Sequence, residues 1–354
     1  MKPIRSLMLA FALMALILAG SFLFSQSLVA GPPMGELAIQ ASPQVVTGGA
    51  WNSGWVGVVR GTCQEFTHSL GGIAGDYGVE MWFLDTEENI DLERGIHREN
   101  WGGLEAAGHW RGAHWENLDA NTIELCRGGQ DLTADRISVR VWQMTATTGY
   151  DSGWLDIDAG PANALTLDHN LGVPALDLAV SLWFSGTEKG IHQYAYGGLE
   201  DSTDGYSIQG GWWDSLTDTT IKVTRGHQDD YVEQVRVIVD QPEDPDYDSY
   251  EASGDWTNLG HFDPVTFTHN LHWPTRLLVV RAECNSPGLG IHHLDAGGTS
   301  YGFGLGWYGA FVHNLTRYDV QVTRLINDGV CPQVRVRVWK RGALAFLPFV
   351  VREK

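Results

Sequence analysis

The sequence of 354 residues predicts an all-β protein made of three tandem, small antiparallel β-sandwich modules after an N-terminal signal or anchor segment. Three observations predict this architecture. A set of short motifs recurs three times, with successive copies about 100 residues apart. Within each copy, apolar and polar residues alternate with the period of two that is typical of half-buried strands. Glycine is abundant, with 43 residues, and it clusters between these runs, as the turns of a β-sandwich require.

Each copy contains the same motifs in the same order: a Ser-Gly-Trp-like start, a strand that ends on a histidine, a Gly-Ile-His triplet and a closing Val-rich strand. The starts lie at Ser53-Gly54-Trp55, Ser152-Gly153-Trp154 and Ser253-Gly254-Asp255-Trp256; the strand-end histidines are His68, His169 and His269; the triplets begin at Gly95, Gly190 and Gly290; and the closing strands are Ile137–Trp142, Val235–Val239 and Val334–Trp339. These copies predict modules at residues 51–145, 150–241 and 249–341.

Residues 1–30 predict an export signal, because Lys2 and Arg5 precede an uncharged apolar run. The run suits either a cleaved signal peptide or a retained N-terminal membrane anchor. Residues 31–50 are predicted to be a linker, and residues 342–354 an apolar tail. We therefore expect a secreted or extracytoplasmic protein that contacts a membrane only through an uncleaved N-terminal segment.

The four cysteines fall in pairs within the first and third copies, as intramodular disulfides in an oxidising compartment would. We predict Cys63–Cys126 and Cys284–Cys331 among the three possible connectivities. The spacing lacks the Cys-x-x-Cys pattern of zinc sites, and no metal or other cofactor is expected. The net charge of −20 argues against nucleic acid as a partner.

The second copy carries Trp213, the run Leu216–Val223 and the closing strand Val235–Val239. With the Ser-Gly-Trp start and a strand that ends near Pro174, this order resembles the H-type lectin domains. The resemblance covers each module in outline and rests on patterning. It implies six-stranded antiparallel sandwiches that are commonly trimeric and bind sugars. The layout is also similar to tandem modules of exported bacterial proteins.

An arginine at a strand end is followed four residues later by an aspartate in every copy, and such a pair can bind sugar hydroxyls. The pairs are Arg127 and Asp131, Arg225 and Asp229, and Arg324 and Asp328. The alternative is an ion pair that closes a turn.

Two aromatic residues are further candidates, because Trp101 and Tyr196 precede the Gly-Gly pairs by one residue. An aromatic ring that is exposed there would stack on the apolar face of a sugar. The alternative is packing in a core or an interface. The third copy has Ala296 at this position, so the three sites would differ.

The triplet histidines His97, His192 and His292 suit structural packing, a ligand pocket or part of a metal site. A metal site needs a further recurring ligand, and Glu105 and Glu200 have no counterpart in the third copy. No metal site is therefore predicted. The strand-end histidines are predicted to fix a turn. The tryptophans predicted to fill the module cores are Trp55, Trp82, Trp154, Trp183 and Trp256.

Features typical of enzymes are scarce: the sequence has no His-Glu-x-x-His motif and no Gly-x-x-x-x-Gly-Lys loop. No pair of carboxylates recurs at matched positions, as a glycosidase in each module would require. We therefore expect a non-enzymatic, multivalent protein that binds carbohydrate or another extracellular polymer. The alternative is a structural or adhesive cell-envelope protein without a small-molecule ligand, which self-associates. The modules form either a pseudo-trimer or a string of beads.

Overall fold

The computed structural model describes most of the region that carries the repeats. The N-terminal segment 1–30, the tail 342–354 and the candidate residues Trp101 and Tyr196 lie outside the described residues, as does the side chain of His97. The structure describes residues 44–46, 50–86, 95–97, 113–129, 131, 134–144, 149–192, 210–226, 229–293, 297–301, 304–308, 310–324 and 328–340.

The described chain is all-β, as predicted, and we call its first pair of sheets module 1, residues 50–144. A five-stranded antiparallel sheet has the order β1-β2-β8-β4-β5, and a three-stranded sheet has the order β3-β7-β6. A 3₁₀ turn at Ala74–Asp76 leads into β4. The strands are β1 (Gln44–Val46), β2 (Ala50–Asn52), β3 (Thr62–Thr67), β4 (Tyr77–Leu84), β5 (Ile96–His97), β6 (Ala113–Glu116), β7 (Thr122–Arg127) and β8 (Arg136–Gln143).

Module 2, residues 149–240, repeats this arrangement with sheets β12-β11-β15-β9 and β10-β14-β13. Its 3₁₀ turns lie at Pro161–Asn163 and Ala175–Asp177. The strands are β9 (Tyr150–Asp156), β10 (Leu165–Asp168), β11 (Ala179–Gly186), β12 (Gly190–His192), β13 (Gly211–Asp214), β14 (Thr220–Arg225) and β15 (Gln234–Asp240).

Module 3, residues 247–340, has the same two sheets, a short α-helix at Ser249–Ser253 and a 3₁₀ turn at Thr275–Leu277. A separate hairpin is formed by β21 and β22. The strands are β16 (Tyr247–Asp248), β17 (Thr257–Asn258), β18 (Val265–Thr268), β19 (Leu278–Ser286), β20 (Gly290–His293), β21 (Gly297–Tyr301), β22 (Gly304–Tyr308), β23 (Ala310–His313), β24 (Asp319–Arg324) and β25 (Gln333–Lys340).

Each module buries an apolar core between its two sheets. In module 1, Ile137, Val139 and Val141 alternate along β8 and are fully buried in one cluster with Ile123 and Leu125 of β7. Full burial of one such side chain contributes about 1.5–3 kcal/mol. If β8 shifted by one residue along its neighbours, these three apolar side chains would point away from the core. The alternation in the sequence therefore also fixes the register of the strand.

All three modules belong to one compact unit from Ala41 to Lys354. The predicted module boundaries and the independent folding of each module therefore stay predictions. One detail differs from the sequence prediction, because Gln44–Val46, in the segment predicted as a linker, pairs with Ala50–Asn52 as an edge strand. Among the described residues, no helix has the length and hydrophobicity needed to cross a bilayer.

The motif that opens module 3 is shifted relative to the sequence prediction. The hydroxyls of Ser53 and Ser152 each accept a hydrogen bond from a backbone amide of the closing strand, at 2.9 Å. In module 3, Ser249 has this role, at 2.8 Å, and the predicted Ser253 does not. The helix Ser249–Ser253 is inserted at this point, which displaces the Ser-Gly pair from its structural position.

Both predicted disulfides are confirmed. Cys63–Cys126 joins residues that lie directly opposite each other on β3 and β7. Cys284–Cys331 lies in the core of module 3, where both residues are fully buried. Two disulfides at unrelated positions indicate that the chain folds in an oxidising, extracytoplasmic environment.

Replacing Cys284 and Cys331 together by alanine should lower the free energy of unfolding by about 4 kcal/mol, because the cross-link spans 47 residues. The cavity left in the core adds to this loss. Module 2 has Phe184 and Val232 at the equivalent positions, so Cys284→Phe with Cys331→Val should recover part of the stability. Urea unfolding with Cys63–Cys126 intact checks this, and an alanine variant with the wild-type midpoint would contradict it.

Candidate functional site

The three modules contact one another in a closed ring. The backbone amide of Leu118 in module 1 donates to the carbonyl of Ile191 in module 2, at 3.1 Å. Leu216 of module 2 donates in the same way to Ile291 of module 3, at 3.3 Å. Leu315 then donates back to Ile96 of module 1, at 3.1 Å. We call these the first, second and third interfaces, and their closure excludes a string of beads.

The Gly-Ile-His triplet supplies the central contact of every interface. Ile191 packs on the core of module 1, Ile291 on the core of module 2, and Ile96 on the core of module 3. The preceding glycines have positive φ values, as at Gly190 with 57°, which lets the strand turn tightly into the neighbouring module. A Cβ on Gly190 would lie 3.1 Å from Asn117 Oδ1. The triplet is therefore an interface motif.

Three tryptophans predicted to fill their own module cores pack on a neighbouring module. Trp183 of module 2 is buried in the core cluster of module 1, where its ring meets that of Trp115 at 5.9 Å between centroids. Trp82 of module 1 packs on the core of module 3, and Trp154 of module 2 on that of module 1. The prediction was wrong because alternation assigns a side chain to one face of a sheet without saying what covers that face.

Two of the triplet histidines, His192 and His292, have described side chains, and both are buried. His192 is fully buried, and burial, followed by the charges of His114 and Lys189, lowers its pKa to about 3. Its Nε2 lies 3.4 Å from the carbonyl oxygen of Tyr231. Nδ1 of His292 lies 2.9 Å from the carbonyl oxygen of Gly290. This geometry favours the packing alternative for both residues.

The Arg-Asp pairs close turns inside each module. Nε of Arg127 donates to Asp131 at 2.7 Å, and the pairs Arg225–Asp229 and Arg324–Asp328 repeat this contact at 3.0 and 2.7 Å. All three aspartates are buried and also accept a backbone amide from three residues further along, at 2.7–2.9 Å. The geometry favours the turn-closing alternative, and a role of these pairs in sugar binding stays a prediction.

The strand-end histidines also stabilise turns, as predicted. Nδ1 of His68, His169 and His269 accepts a hydrogen bond from the backbone amide two residues ahead, at 3.2–3.4 Å. The residue between donor and acceptor has positive φ in each copy, as at Asn170 with 52°. A short polar side chain tolerates that conformation, which explains the Ser or Asn at this position.

A buried polar cluster at the first interface was missed by the sequence reasoning. Oε2 of Glu116 lies 2.8 Å from Nζ of Lys189 in the neighbouring module and 2.9 Å from Nε2 of His114. The ammonium group also lies 4.6 Å from the ring centroid of Tyr231. The cluster has no counterpart in the other copies, because Asp214 and His313 occupy the positions equivalent to Glu116. A search for residues that recur in all three copies therefore does not find it.

Burial penalises the charged form of Glu116, but the hydrogen bonds and charges of His114 and Lys189 outweigh this and lower the pKa of Glu116 to about 2. Burial lowers the pKa of His114, and its Nε2 donates to the Glu116 carboxylate. Lys189 is then the counter-ion. Both groups of possible metal ligands among the described residues include Cys126, whose sulfur is bonded to Cys63, so neither group keeps three free ligands.

Charges from all three modules meet at Arg281 of module 3. Burial lowers the pKa of this guanidinium, and the negative charges of Asp240 of module 2 and Glu80 of module 1 act in the opposite direction. Glu283 and Arg337 of module 3 pair with each other beside it. Charged groups of all three modules therefore act on one buried guanidinium.

One serine matches the spacing of a nucleophile elbow, which the sequence reasoning overlooked. Ser300 lies in the stretch from Gly298 to Gly302 that reads Gly-x-Ser-x-Gly. The elbow requires a turn from a strand into a helix. Ser300 instead lies within β21 and pairs with Leu305 of β22, so the match does not have the backbone of an elbow.

Comparisons with protein-family models, with curated proteins and with solved structures found no match to this chain.

Gly190→Ala should destabilise the protein more than Gly172→Ala. Both glycines have positive φ, 57° and 65°, so each substitution strains the backbone by about 1 kcal/mol. At Gly190 the new Cβ also meets Asn117 across the first interface at 3.1 Å, whereas nothing lies within 4 Å at Gly172. Urea unfolding of the two variants isolates the interface contribution, and equal losses would argue against a tight contact there.

The Glu116 cluster should make the stability of the protein sensitive to acid. A carboxyl whose pKa is lowered from 4.5 to about 2 by folding stabilises the protein above pH 4.5, and this contribution is lost as the pH falls towards 2. Glu116→Gln should therefore flatten the loss of stability across that window. Thermal unfolding at several pH values measures it, with Glu65→Gln at an exposed strand position as the control. An unchanged pH profile in Glu116→Gln would contradict the assignment.

Proposed function

We propose that this is an exported, multivalent protein that binds carbohydrate or another extracellular polymer through lectin-like modules. The observation that carries the proposal is the ring itself, because three interfaces with the same backbone hydrogen bond and packed isoleucine join three copies of one module. An enzyme needs a single site, whereas repetition of one module multiplies a binding surface. The two disulfides and the apolar N-terminal run support export.

The segments that follow the triplets are the proposed binding elements. In modules 1 and 2 they span residues 98–112 and 193–209, and they carry Trp101 and Tyr196. Each segment starts from an interface strand, β5 or β12, and returns to β6 or β13, which lead into the amides that close the interfaces. Both ends are thus held by the ring, which reduces the ordering cost of binding. Aromatic rings in such segments offer flat apolar faces for sugar rings.

The Arg-Asp pairs and the triplet histidines carry less of the proposal. Where their side chains are described, these residues hydrogen-bond within turns and at strand ends, so they support the frame that carries the proposed binding segments. Weak binding at each segment would still give strong attachment, because a polymer with repeated units meets the segments at high effective concentration. Linked sites of this kind gain about 10²–10⁴ in avidity.

A structural or adhesive cell-envelope protein without a small-molecule ligand is the second candidate. It is favoured by the fact that the recurring motifs with described side chains serve turns and interfaces. On that proposal, self-association and attachment would use the outer surface of the ring.

A glycan array probed with the purified full-length protein should give dose-dependent binding to a defined sugar class. Trp101→Ala with Tyr196→Ala should weaken this binding by roughly tenfold or more, because the stacking surfaces are removed. Phe262→Ala is the matched control, since this aromatic side chain is 49% exposed on module 3. Parallel arrays with and without divalent cations test for metal dependence. Absence of binding to every glycan on the array would favour the cell-envelope protein. Unchanged binding by the double variant would show that the binding site does not include Trp101 and Tyr196.

A further inference from the structure

The first interface is held by an arginine on the closing strand of module 2. Arg236 donates to the carbonyl oxygen of Gly75 in module 1, and its Nη1 lies 3.6 Å from Asp76 of the same module. It also pairs with Asp151 of its own module, at 2.5 Å. We call this set, an arginine with one aspartate from each module, an arginine bridge.

The second interface repeats the arginine bridge. Arg335 of module 3 donates to the carbonyl oxygen of Leu176 in module 2 and pairs with Asp248 of its own module. The negative charges of Glu283 of module 3 and Asp177 of module 2 also act on this guanidinium. The arginine is 4% exposed, so its hydrogen bonds are shielded from water. Two interfaces of the ring therefore share one charged device built from equivalent residues.

The third interface lacks all three members of the bridge. Strand pairing puts Ser138 of β8 where β15 and β25 have the arginine. Asn52 of β2 takes the place of the aspartate on the same module. Leu277, which ends the 3₁₀ turn of module 3, takes the place of the aspartate on the neighbouring module. These three residues are all described, and none carries a charge.

The arginine bridge is missing from the third interface, which is the interface between two modules that are not consecutive in the sequence. Modules 1 and 2, and modules 2 and 3, are consecutive along the sequence, whereas modules 3 and 1 meet only through non-covalent contacts. The third interface keeps the hydrogen bond from Leu315 to Ile96 and the packing of Ile96 and Trp82 on the core of module 3. Beside these contacts, the charge of Glu80 of module 1 acts on Arg281 of module 3, but no arginine bridge joins the two modules.

We propose that the third interface is the built-in opening point of the ring. Module 1 and module 3 separate there reversibly, while each stays bridged to module 2. Opening changes the spacing between the first and third modules and withdraws Ile96 and Trp82 from the core of module 3. Opening of the third interface would let the distance between modules 1 and 3 adapt to a binding partner. This inference does not depend on which polymer the modules bind.

Hydrogen exchange measured by NMR on the full chain tests the proposal within one molecule. The amides of Leu118, Leu216 and Leu315 make equivalent hydrogen bonds across the three interfaces, so each serves as a control for the others. The protection factor of Leu315 should be lower by roughly tenfold to a hundredfold, the factor expected for the loss of charge-assisted hydrogen bonds. Equal protection of the three amides would overturn the proposal.

A second test uses variants that introduce the arginine bridge at the third interface or remove it from the second. Asn52→Asp, Ser138→Arg and Leu277→Asp together should raise the protection of Leu315, whereas the same set with Ser138→Met should not. In the opposite direction, Arg335→Met should lower the protection of Leu216 towards that of Leu315 and leave Leu118 unchanged. A folded Arg335→Met variant with unchanged protection at Leu216 would also overturn the proposal, whatever the triple variant does.

Discussion

The packing of one isoleucine from each module against the core of its neighbour is the interaction on which the rest of the structure depends. Ile96, Ile191 and Ile291 each cover apolar residues that a lone module would expose. The glycine before each isoleucine has a positive φ, and so has the residue that it faces on the neighbouring module (Asn314, Asn117 or Ser215). These backbone conformations allow the two modules to approach closely. Because the contacts run from module 1 to 2, from 2 to 3 and from 3 to 1, the ring closes and the three cores stabilise one another.

Much of the fold was predictable because its determinants are local and repeated. The alternation of apolar and polar residues predicted the strands. Because Cys284 and Cys331 fall in the same copy, their pairing was predicted as well. A histidine followed by Asn and Leu predicted a turn. These signals act within one strand or one turn, where sequence neighbours are also neighbours in space. The helix inserted at Ser249 broke the local pattern, which is why Ser253 was assigned a position that Ser249 holds.

The interfaces were not predictable, because their partners lie in different modules and their chemistry is not repeated. Trp183 looks like a core residue from its strand, and only the neighbouring Trp115 shows what it covers. Glu116 and Lys189 form an ion pair across the first interface but occur in one copy each. Such a buried pair adds little stability relative to a well-packed apolar pair, yet a wrongly paired module would bury one charge without its counter-ion. The differences between copies therefore favour one order of modules around the ring.

Disulfide trapping across the third interface tests the closed ring most directly. A Cβ built on Gly95 lies 3.9 Å from the Cα of Asn314, which is within reach of a disulfide. Gly95→Cys with Asn314→Cys in the full chain should therefore form an intrachain cross-link, visible by mass spectrometry of a non-reducing digest, while the two native disulfides stay intact. Two free thiols in the folded monomer, or a cross-link formed only between chains, would contradict the ring.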